Sequence, residues 1–182
     1  MNYFSAIFFV LILLFGCSPR YIKYQRSKKK VLRKEITQEQ FDEKFFAFYN
    51  DGKSYSSDSL LSIKFKGCYV NQDKKGNYSI YKFLKEGKVI DTQNFKSYPD
   101  NLALLDVRAN YYYYQLNSDL VEVEYLSSRD WSLYNLVMTG QSRNDSIIFY
   151  QVKNQQLPFS KFNSIRKVYV YDSTLTMTPI IR

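Results

Sequence analysis

The sequence predicts an all-β fold, an antiparallel meander closing into a barrel of about eight strands with a short N-terminal helix. Three observations predict it. From about residue 60 onward, apolar residues recur at every second position, the period of a strand that buries one face. The alternating runs are separated by tight loops rich in Gly, Asn and Asp, the residues that hairpin turns demand. Eight or nine such runs joined by short turns are enough to close a barrel, which leaves no unpaired edge.

The elements follow in order. Between Thr37 and Tyr49 the spacing of Phe41, Phe45, Phe48 and Tyr49 is that of an amphipathic helix, with Thr37 as N-cap and Asn50-Asp51-Gly52 as stop. After a polar stretch, Leu61, Ile63 and Phe65 alternate with Ser62, Lys64 and Lys66, and the run Ile63–Val70 reads as the first strand. Asp73-Lys74-Lys75-Gly76 turns into Tyr78–Leu84, and Glu86-Gly87 turns into Lys88–Thr92. Gln93–Ala109, broken by Pro99, reads as a short helix or an irregular crossing. Tyr111–Leu116 and Leu120–Tyr125 flank Asn117-Ser118-Asp119, and Leu133–Thr139 and Ser146–Val152 flank Arg143-Asn144-Asp145. Lys167–Tyr171 is a further strand, and Leu175–Ile181 an extended tail limited by Pro179.

The N-terminus has a different character. Ala6–Phe15 is an unbroken apolar run of ten residues, about half of what a helix needs to span a bilayer, so it fits a signal-peptide core better than a permanent span. Basic residues follow it: Arg20, Lys23, Arg26, Lys28, Lys29, Lys30, Arg33 and Lys34 lie between Cys17 and Lys34 with no acid among them. They hold eight of the chain's nine net positive charges, leaving about one for residues 35–182. The high pI therefore belongs to this stretch, and the folded part offers no basic face for nucleic acid. Residues 17–34 read as a solvated tether that presses toward anionic lipid. The first five residues carry no Lys or Arg, and a basic flank after the run also suits an uncleaved anchor under the positive-inside tendency; the shortness of the run and the position of Gly16-Cys17 favour cleavage.

Candidate chemistry is sparse. The chain has no histidine, which removes the commonest general base and the usual zinc nitrogen ligand. Cys68, within the first alternating run, reads as a small strand side chain, since a reactive thiol needs an activating neighbour. Glu122 and Glu124 share a strand face opposite Val121, Val123 and Tyr125, and are expected to face solvent. Tyr111–Tyr114 places phenols on both faces of one strand, so Tyr112 and Tyr114, with the lone Trp131, are candidate ligand or partner contacts. No catalytic residue, metal site or cofactor is expected.

Leu14-Phe15-Gly16-Cys17 resembles the lipobox of bacterial lipoprotein signal peptides, which implies cleavage after Gly16 and acylation of Cys17. Further along, Gly67-Cys68-Tyr69, Tyr81-Lys82-Phe83 before Glu86-Gly87-Lys88-Val89, Tyr113–Leu116, Asn117-Ser118-Asp119, Val121-Glu122-Val123 and Asn144-Asp145-Ser146-Ile147 resemble small lipocalin-like lipoproteins of Bacteroidota. The likeness spans roughly residues 60–152; Cys68 stands where such chains are often aromatic, and Ala109-Asn110 where a second glycine is expected. It implies a lipocalin-like barrel in the cell envelope, and Ser18-Pro19-Arg20-Tyr21, lacking acid after the cysteine, implies an outer-membrane anchor facing the periplasm. The organisation expected is a signal peptide over 1–16, lipidated cysteine and tether over 17–34, and a barrel over 35–182. Its expected role is a non-catalytic structural or protein-interaction module, with the bilayer and an envelope protein as partners; the alternative is binding or carriage of a small apolar ligand in the barrel.

Overall fold

The computed structural model describes residues 18–50, 63–98, 110–129, 132–155, 163–175 and 177. Eight antiparallel strands form a closed barrel in sequential order: β1 (Cys68–Gln72), β2 (Tyr78–Phe83), β3 (Lys88–Phe95), β4 (Asn110–Asn117), β5 (Leu120–Arg129), β6 (Ser132–Arg143), β7 (Ser146–Asn154) and β8 (Asn163–Asp172). Closure runs through β1 and β8, with Tyr69 opposite Tyr171 and Val70 opposite Val170. The all-β barrel read from the sequence is the fold observed, and its architecture is compatible with the lipocalin-like type.

Turn chemistry sets the register. In the β1–β2 turn the Asp73 carboxylate accepts from the Lys75 and Asn77 amides at 2.8 and 2.9 Å, while Gly76 takes the left-handed conformation. Ser118 and Asn144 adopt left-handed φ at the β4–β5 and β6–β7 hairpins, where short loops must follow the strand twist. Side chains pointing inward from every strand then meet in one core, including Tyr69, Tyr81, Phe83, Tyr114, Met138, Phe149 and Tyr169. These rings interlock edge to face, with Tyr81 and Tyr169 stacked at 4.4 Å.

Residues 63–67 correct the sequence reading. They do not extend the first strand; β1 starts at Cys68, and Ile63 and Phe65 pack against the barrel core. Tyr171 Oη accepts from the Gly67 amide and Tyr69 Oη from the Lys64 amide, both at 2.9 Å. Lys82 fixes the same segment from the outer face, its ammonium donating to the carbonyls of Phe65, Lys66 and Gly67 at 2.6, 2.7 and 3.1 Å. An alternating pattern fits any extended segment with one side buried, whether or not it has strand partners.

Two patches of the outer face are also covered. Leu175 and Met177 lie with Cys68, Val70, Ile80 and Ile90. On the other side, three helices pack over β4–β6: α1 (Pro19–Leu32), α2 (Gln38–Phe45) and α3 (Ala47–Asn50). The Thr37 cap is a full capping box, with Thr37 Oγ1 accepting from the Gln40 amide and Gln40 Oε1 from the Thr37 amide. The single helix read from Thr37 to Tyr49 is two, because Phe46 is extended and the chain restarts as α3.

The basic stretch read as a solvated linker is α1. Arg20, Tyr24, Ser27 and Val31 recur at helical spacing and turn toward the domain; Ser27 is buried, and the Tyr24 ring lies 5.6 and 5.5 Å from those of Phe41 and Phe45. A helix of this length spans about 21 Å, where a fully extended Ser18–Lys34 would reach about 56–61 Å.

Candidate functional site

The most concentrated polar chemistry on the outer face lies beneath the helices. Glu124, which the period-two pattern places outward, is fully buried there. Its Oε1 accepts from the Ala47 amide at 3.0 Å and from Asn135 Nδ2 at 2.8 Å, and its Oε2 accepts from the Phe48 amide at 2.8 Å. The expectation that Glu122 and Glu124 form a solvent-facing pair is thus corrected for Glu124: the face was right, but α2 and α3 roof it over. Glu122 stays partly exposed, its Oε1 3.4 Å from Thr139 Oγ1.

Asn135 and Arg20 extend this knot. Asn135 also donates to the Phe45 carbonyl at 2.8 Å and accepts from Arg20 Nη2 at 2.9 Å. Burial lowers the Arg20 pKa, and the Glu124 charge opposes that shift. Arg20 was read as part of the membrane-surface tether and instead points at the barrel. The other seven basic residues of that tether, Lys23, Arg26, Lys28, Lys29, Lys30, Arg33 and Lys34, are exposed.

Asp42, on α2, joins the same interface. It is 1 % exposed, accepts from Gln38 Nε2 at 2.7 Å and from the Tyr113 hydroxyl, and its carboxyl is raised above the ordinary range by burial, which those hydrogen bonds oppose. Burial, then Asp42, hold the Tyr113 phenol far above its usual pKa. The sequence reading passed over Asp42, although it lies on the apolar side of α2 between Phe41 and Phe45. Asp42 also lines a crevice of about 300 Å³, together with Tyr24, Lys28, Val31, Phe41 and Tyr112 among others.

A second polar group sits inside the barrel. Asp91 is fully buried on the same face as Val89, and Tyr112, Tyr81, Tyr169 and Tyr125 are close enough to feel its charge. Tyr112 hydrogen-bonds it, and burial followed by that carboxylate pushes the Tyr112 phenol far above its usual range. Tyr169 Oη lies 3.2 Å from Ser79 Oγ. Chemically, a carboxylate ringed by neutral phenols can orient a polar group within an apolar interior. Alternation places Asp91 in phase with Val89, a cue the sequence reading did not use.

The remaining candidates divide. Tyr112 lies half-buried at this cluster, 5.6 Å from the Tyr125 ring. Tyr114 is no surface contact: it is 2 % exposed, donates to the Leu84 carbonyl at 2.7 Å and packs edge-on against Phe83. Cys68 is buried, and burial pushes its thiol up to about 11, as suits a structural side chain. Leu14, Phe15, Gly16, Cys17 and Trp131 lie outside the described residues. Among the described residues there is no group of three or more potential metal ligands, and no helix is long and apolar enough to cross a membrane.

Comparison with known proteins finds no matching family model, curated protein or solved structure.

Proposed function

We propose that this chain is a lipid-anchored envelope protein whose barrel serves as a non-catalytic structural or protein-interaction module. One observation carries the second half of that reading: the barrel interior is occupied by the chain's own large side chains, from Tyr69 and Phe83 at one end to Tyr81 and Tyr169 further in. An eight-stranded barrel is just wide enough for side chains to fill it or for one small ligand to displace them, and here aromatic rings take that volume. The anchor rests on Leu14-Phe15-Gly16-Cys17 behind the short apolar run. Kinship with lipocalin-like lipoproteins of Bacteroidota, and a periplasm-facing place in the outer membrane, belong to the same proposal.

The deciding experiment is native mass spectrometry of the full chain extracted from membranes in mild detergent. A bare acylated mass supports the module; a reproducible non-detergent adduct lost on denaturation replaces it with ligand carriage. That second reading is favoured by the phenol-ringed Asp91, where polar groups converge within the core. Cys17→Ala tests the anchor, since it should abolish incorporation of labelled fatty acid.

A further inference from the structure

The two faces of α1 are unlike. Arg20, Tyr24, Ser27 and Val31 fix its rotation against α2 and β6. Ile22, Arg26 and Lys29, spaced four and three apart, form the opposite stripe, and Lys23 and Lys30 flank it. All five are exposed, as is Leu32 at 78 %. Beyond the end of the helix, Arg33 pairs with Glu35 at 3.8 Å. The outward stripe is therefore a rigid cationic strip about 12 Å long, on a helix of about 21 Å, with the apolar Ile22 at its start.

We infer that this strip lies on an anionic bilayer surface and fixes the orientation of the barrel against it. The inference rests on the membrane-anchor reading, which ends the apolar run at Phe15 and puts Cys17 two residues before the helix starts. The occupant is chosen by complementarity. A surface helix that binds bilayers combines Lys and Arg with a few apolar side chains able to enter the headgroup region, and each cation near an anionic leaflet contributes roughly a fivefold gain in partitioning. A flexible tether would let the barrel tumble; a docked helix would not, because the side chains that hold α1 to the barrel are separate from those that face the lipid.

The test uses the full chain extracted from membranes, with the state of Cys17 read by mass spectrometry, in vesicles of phosphatidylethanolamine with phosphatidylglycerol, and in vesicles of phosphatidylcholine alone. A membrane-impermeant amine reagent is applied, and labelling rates at individual lysines are read by peptide mapping. Lys74 and Lys75, exposed in the β1–β2 turn, serve as internal references. Lys23, Lys29 and Lys30 are expected to label roughly fivefold or more slowly in the anionic vesicles, and to regain their rates in high salt, which screens exposed charge. The variant Arg26→Gln/Lys29→Gln/Lys30→Gln, which changes only exposed side chains, is expected to lose the protection of Lys23.

Equal rates in both vesicle types overturn the inference. So does protection that needs added envelope proteins, which would point to an acidic protein partner. The two readings fail separately: no acyl group on Cys17 with protection intact removes the lipid anchor and leaves the docking strip, whereas an acylated chain without protection removes only the strip.

Discussion

Replacing Glu124 by Gln should loosen the helical cover from the barrel while leaving the barrel intact. The carboxylate accepts three hydrogen bonds, two from the first amides of α3 and one from Asn135. A hydrogen bond to a charged group contributes about 1.5–3 kcal/mol, and a buried donor left unpaired costs about 1–3 kcal/mol. Glutamine keeps one accepting edge. If its oxygen takes the Oε1 position, Ala47 and Asn135 stay paired and the Phe48 amide faces an NH₂ group; the flipped amide strands the other two donors. The Arg20 guanidinium also loses its counter-charge. Together these set a loss of about 2–4 kcal/mol, or roughly 4–16 °C in melting temperature for a chain of this size. Urea unfolding measures the stability, and hydrogen exchange at Ala47 and Phe48 localises the effect. Glu122→Gln, on a partly exposed side chain, is the control and should stay within about 0.5 kcal/mol. If Glu124→Gln behaves like that control and the two amides exchange no faster, the carboxylate does not fasten the helices.

Four further outcomes follow from the same contacts. Gly67→Ala should destabilise by about 1–3 kcal/mol or more in thermal melts, since a Cβ there would sit 2.2 Å from the Asp172 carbonyl oxygen, a backbone atom that cannot step aside. Cys68, buried and with its thiol raised to about 11, should be alkylated at neutral pH no faster than the chain unfolds. Asp42 has a folded-state pKa above its unfolded value, so its contribution is fully present below the ordinary carboxylate range and lost as pH rises through the folded pKa; relative to Asp42→Asn, the native chain should lose stability in urea titrations as pH rises above the ordinary carboxylate range. Tyr24→Ala should cost about 1–3 kcal/mol through two ring pairs if α1 is docked, and nothing measurable in the same titrations if residues 18–34 are a linker.

The barrel was legible because its information is local. Each hairpin carries its own alternation and its own turn residues, so Asn117-Ser118-Asp119 and Arg143-Asn144-Asp145 mark their turns without reference to the rest of the chain. What the sequence concealed is which segment covers which face. Glu124 has the correct phase for an outer position, yet only the path of residues 37–50 decides whether that position meets water or a helix. The α1 stretch was concealed for the same reason. Its Lys and Arg residues are good helix formers, but a helix this short is marginal alone and is held by Tyr24 and Arg20 against groups far along the chain. The run at 63–67 shows the converse case, where a strand-like pattern is spent on packing against the core without a ladder.

The helical state of residues 19–32 also changes what the basic residues can do. In a flexible chain eight cations average over all directions and would pull the linker toward lipid without directing the domain. In α1 the geometry separates them: Arg20 is committed to Asn135 and Glu124, while Arg26 and Lys29 are held on the opposite side of a helix whose rotation Tyr24 and Ser27 fix. Charge that would otherwise supply only affinity then supplies direction as well. Glu124 thereby acquires a second consequence, because the knot that binds α3 and Asn135 also receives Arg20. Loosening it should free the cationic strip from the barrel even though no residue of the strip has changed.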